Sequence, residues 1–94
     1  MSKSPTHVLQ DEEQLLAISN RLKRAHGQLA AIIRMLEEGR NCEEIVTQMA
    51  AVNKAVNTAA FTLISTSLKE CIVDDKNNAK DVQEKLQKLF LSLA

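Results

Sequence analysis

The sequence has no tryptophan and no tyrosine, and only two phenylalanines, so its core must be aliphatic. With so few aromatic rings there is little for unpaired bases to stack on, which argues against single-stranded nucleic acid or RNA as a ligand. Proline occurs once and glycine twice, too little turn chemistry for a protein built of short strands. No apolar run approaches the roughly 18–20 residues of a membrane span, and residues 1–6 lack the apolar stretch of a signal peptide. The expected location is therefore cytoplasmic, with no membrane partner. Net charge is also missing: 12 basic and 12 acidic residues cancel. Any case for DNA must rest on local patches rather than on the global field. There is no phosphate-binding loop and no nucleophile paired with a base, so no enzyme is expected. Cysteine is sparse, with two residues. In a cytoplasmic protein such thiols read as reactive or metal-binding more readily than as a structural staple, although inert burial is the alternative.

What the chain does contain is Ala, Leu, Lys, Glu and Gln in helical proportions, and the fold class read from it is all-α. Ninety-four residues make one domain, divided into a flexible polar leader at 1–10, holding Pro5 and His7, and a single helical unit over 11–94. The apolar positions Leu15, Ile18, Leu22, Ala25, Leu29, Ile32 and Leu36 advance in steps of three and four, which predicts a helix over about 11–38. Asp11, Glu12 and Glu13 suit its positive N-terminal end, and Gly39 suits its C-terminal cap. A second stripe runs Ile45, Met49, Val52, Val56, Ala59 and Leu63, with no glycine or proline from Cys42 to Val73. That predicts one long central helix, about 45 Å from end to end. The polar segment 74–78 breaks it. A third helix is predicted from about Lys80, with Val82, Leu86, Leu89 and Leu93 on one face and a Glu84/Lys88 pair spaced for support. Three helices so unequal do not close a bundle, so a second copy is expected on the uncovered stripe.

The two cysteines stand 29 positions apart on the central helix. At about 100° per residue they project from nearly the same face, and at 1.5 Å per residue they lie about 43 Å apart. A disulfide needs Cα atoms within about 7 Å, and a shared metal needs both sulfurs within about 2.3 Å of it. One straight helix allows neither. Two antiparallel copies would bring Cys42 of one beside Cys71 of the other, at two symmetry-related sites. Cys42, at a helix start near Arg40, is the expected attacking thiol and Cys71 the resolving one.

The run Arg21-Leu22-Lys23-Arg24-Ala25-His26-Gly27-Gln28, then Cys42, then Thr47-Gln48-Met49-Ala50-Ala51-Val52, then Cys71, resembles the copper-sensing operon repressor (CsoR) family over about residues 15–90. The resemblance implies three-helix subunits forming antiparallel dimers and then a dimer of dimers. It also implies a repressor that binds double-stranded operator DNA and lets go when an effector reaches the inter-subunit thiols. The copper-sensing branch places a histidine 25 residues after the first cysteine and four before the second. Here that position is Ser67. A hydroxyl is a poor donor to soft copper(I). Keeping both thiols while losing the imidazole resembles the persulfide-sensing, CstR-like branch. On that reading reactive sulfur species are the effector, Cys42 and Cys71 form a disulfide or polysulfide bridge, and no cofactor is needed. A copper(I)-responsive repressor using the same two thiolates is the alternative. A nickel or cobalt sensor would need more imidazole than His7 alone can bring, and His26 is expected at the surface. A formaldehyde sensor is disfavoured because Ser2 stands where that branch has proline.

Arg21, Lys23, Arg24 and Lys54 are the expected DNA contacts. Asn57 stands where relatives often carry a helix-two arginine. A helical adaptor with inert cysteines is the competing reading from another class.

Overall fold

The computed structural model describes residues 6–73 and 79–93, and among them there are three helices and no strand. The first is α1, Glu12–Glu37. Its N-cap is Asp11, whose carboxylate accepts from the Gln14 amide at 3.1 Å. That satisfies one of the donors every helix start leaves over. At the other end Gly39 adopts φ 73°, and the Arg40 and Gly39 amides return to the carbonyls of Met35 and Leu36 at 3.0 and 3.2 Å. A side chain would strain that left-handed backbone, which is why glycine ends α1.

The chain reverses over 38–41 and enters α2, Cys42–Val73. Asn41 caps it, its side chain accepting from the Glu44 amide at 2.8 Å. Helix α3, Ala79–Ser92, folds back on α2, where the rings of Phe61 and Phe90 meet at 4.9 Å between centroids. The predicted Glu84/Lys88 pair does not form. The break expected at 74–78 lies outside the described residues, as do residues 1–5 of the leader. Among the described residues α1 and α3 each pack on α2 and not on each other.

Burial divides the α1 stripe in two. Ile18, Ala25 and Ile32 are 3–7% exposed and pack toward α2, whereas Leu15, Leu22, Leu29 and Leu36 are 43–60% exposed. On α2, Ile45 and Ala59 are buried while Met49, Val56 and Leu63 are not. The protomer covers one edge of each stripe and leaves the other bare.

From His7 on, the leader lies against the end of α2. His7 and the amides of Gln10 and Asp11 are all held by one side chain of α2, Glu70. Among the described residues no helix is long and apolar enough to cross a membrane.

Candidate effector and DNA-binding sites

Cys42 is the first residue of α2 and is exposed, whereas Cys71 lies near its last turn and is 5% exposed. The helix that joins them is the reason they cannot meet in one protomer, being about 43 Å long between them. Among the described residues no group of three or more His, Cys, Asp or Glu side chains could hold a metal ion. Ser67, one turn before Cys71, is equally buried at 5% exposed. Ile64, Ser67 and Cys71 thus form a covered stripe, while the same face further up the helix, with Cys42, Val46 and Met49, is open. Arg40 does not stand ready for the Cys42 sulfur alone, because its guanidinium pairs with Glu44 and reaches Glu38 at 3.9 Å.

Beside Cys71 sits a residue that sequence reasoning missed. Glu70 Oε1 accepts from His7 Nε2 at 2.7 Å and from the Gln10 amide at 3.0 Å, and Oε2 accepts from the Asp11 amide at 2.8 Å. The Gln10 amide bond foremost, with those from His7 and Asp11, holds the Glu70 carboxyl below its ordinary range, against the opposing effect of desolvation. A carboxylate near the end of a helix faces the negative pole of the helix dipole. That misplacement was the one signal in the sequence that Glu70 has a partner elsewhere.

Of the expected DNA contacts, the structure brings Arg21 and Arg24 together. They line a groove of about 460 Å³ with Asn20, Gln28 and the small side chains of Ala51 and Ala55. Lys54 adjoins Ala55 in sequence and is exposed. Lys23 does not join them. It lines a second, largely apolar groove of about 430 Å³ with His26, Leu15, Leu22 and Leu63. No carboxylate among the described residues pairs with Arg21, Lys23, Arg24 or Lys54. Asn20 had no sequence signal of its own, and Gln28 was visible only as part of the motif.

Residues 15–92 match the family described as metal-sensitive transcriptional repressor. The chain belongs to that family. It is 37% identical over 54 residues to the copper-sensing transcriptional repressor RicR of Mycobacterium tuberculosis, covering 57% of this chain and 56% of the relative. To the copper-sensing transcriptional repressor CsoR of Bacillus subtilis it is 39% identical over 57 residues, 61% of this chain and 56% of the relative. To the transcriptional repressor RcnR of Citrobacter koseri it is 32% identical over 75 residues, 80% of each. The matched stretch spans little more than half the length of the two copper-sensing relatives. No solved structure matches it.

That family is one of transcriptional repressors and not of enzymes. Membership also corrects the expectation that no cofactor is involved: the family is defined by metal sensitivity, and two of these relatives are named for copper.

Proposed function

We propose that the chain is a copper(I)-responsive repressor that binds double-stranded operator DNA as an oligomer and releases it when the thiols of Cys42 and Cys71 are occupied. The observation that carries this reading is the placing of an exposed thiol at one end of α2 and a covered one at the other, on one helix face that is bare at its Cys42 end, with Val46 and Met49. A site for one ion then exists only between antiparallel copies. The donor set fits: two thiolates are soft ligands, and copper(I) accepts few of them. When bound, the metal would supply a link between subunits, held by Cys42 of one copy and Cys71 of the next. The set does not fit a metal that wants several imidazoles, since position 67 is serine and His7 is engaged with Glu70.

The chain's own part is then to hold DNA while the thiols are vacant. Arg21 and Arg24, without carboxylate partners, supply unneutralised charge beside the shallow Ala51–Ala55 floor, and Lys54 adds to it at the rim. Repeated across a dimer of dimers, such patches would meet successive phosphates of a duplex.

Ser67 favours a second reading, in which the effector is a reactive sulfur species. Cys42 would attack the outer sulfur of a persulfide, taking it up and expelling the donor thiolate. The partner's thiol at position 71 would then attack the inner sulfur, forming the inter-subunit disulfide and releasing hydrosulfide. Intact mass spectrometry of the reduced protein separates the two. Stoichiometric copper(I) with both thiols unmodified, and loss of operator binding on loading, supports the copper reading. Covalent dimers after a persulfide donor, with copper leaving DNA binding unchanged, would replace it.

A further inference from the structure

Glu70 ties together parts of the chain 59–63 residues apart, through bonds of 2.7–3.2 Å from His7 and from the amides of Gln10 and Asp11. Both partners of the His7–Glu70 contact are mostly covered, at 15% and 20% side-chain exposure. The result is a strap, residues 7–11, laid from the start of α1 onto the last turns of α2. Its position relative to the neighbouring thiol follows from helix geometry. At 100° per residue, Glu70 lies about 100° to one side of Cys71, and Leu68 and Phe61 lie about 60–80° to the other. Phe61 and Leu68 are where α3 packs, through Phe90. Cys71 therefore emerges in a crevice with α3 as one wall and the strapped end of α1 as the other.

We propose that Glu70 and His7 form a latch that closes this crevice, so that the Cys71 thiol reacts only when residues 7–11 let go of α2. The use of such a gate in sensing rests on the reading of Cys71 as an effector thiol. The gate itself does not, and it is tested without DNA or metal. A carboxylate accepting several N–H groups is suited to the task, because its amide counterpart offers only one acceptor and turns an NH2 toward the same donors.

The test is the rate at which iodoacetamide alkylates each thiol in the full, reduced protein, followed by mass spectrometry. Glu70→Gln should accelerate Cys71 about tenfold, on the scale of removing one hydrogen bond to an ionised group. His7→Ala should accelerate it less, and neither should change Cys42. In the double variant the rate should equal that of Glu70→Gln alone, because both changes open one latch. The Gln10 and Asp11 amides should exchange with deuterium faster in step with Cys71. His7→Ala, which leaves the backbone bonds to Glu70 in place, serves should Glu70→Gln fail to fold. Unchanged Cys71 rates while those amides exchange faster would overturn the gate, as would effects that multiply in the double variant.

Discussion

At the scale of single residues the chain uses similar side chains for different ends, and position decides which. Arg21 and Arg24 look into one groove and Lys23 into another, although all four residues 21–24 fall within little more than one turn. Binding to an operator duplex, followed by fluorescence anisotropy across a salt series, separates them. Arg21→Ala and Arg24→Ala should each flatten the slope of log affinity against log salt by about 0.9, as expected when one fewer phosphate is neutralised. Lys23→Ala should leave the slope as it is. The thiols allow a similar contrast. Cys42→Ala and Cys71→Ala should each weaken copper(I) binding by more than roughly a hundredfold, since removing even an outer partner of a metal ligand costs ten- to a hundredfold. Ser67→His, which adds the missing imidazole, should tighten it. Competition with a copper(I) chelator measures all three, and unchanged affinity in either cysteine variant would remove the two-thiolate site.

At the scale of elements, much was legible from the sequence. The three-and-four spacing located α1, and Gly39 marked its end, because a helical stripe and a left-handed cap are local properties. Local signals do not say which neighbour covers an apolar residue. Ile18 and Leu22 are equivalent in the periodic pattern, yet one is buried against α2 and the other is bare. The strap was illegible for a related reason: His7 and Glu70 are 63 residues apart, and neither carries a motif. The resemblance pointed to the right family, while the missing imidazole at Ser67 steered the effector toward sulfur and away from metal. Two substitutions test the elements themselves by denaturant unfolding. Asn41→Ala removes the α2 cap and should cost about 1 kcal/mol. Gly27→Ala should stabilise by about 1 kcal/mol, because a Cβ there meets nothing within 4 Å in the protomer and alanine is the better helix former. A loss at Gly27 would instead place another chain against it.

The whole molecule has a shape that one copy does not explain. Its radius of gyration is 17.1 Å and its extents are 54 × 25 × 25 Å. A compact chain of this length would have a radius of gyration near 12 Å. Among the described residues no large side chain is fully buried, and Leu15, Leu22, Leu29 and Leu36 form a bare line along α1 with Met49, Val56 and Leu63 bare on α2. Burying one leucine is worth about 2 kcal/mol, so such a line provides enough driving force for a second copy. The proposed effector site makes the same demand, since Cys42 and Cys71 can meet only across copies. The two requirements can be tested together with Leu22→Glu and Leu29→Glu combined, changes that touch neither thiol. Sedimentation should show the variant as a monomer where the parent is an oligomer. The same variant should lose tight copper(I) binding although Cys42 and Cys71 are intact. Were it monomeric and still able to bind copper(I) tightly, the site would lie within one chain, against the geometry of α2. Were it still oligomeric, the bare leucines would not be the interface, and the surface joining the thiols would have to be sought on another face of α2.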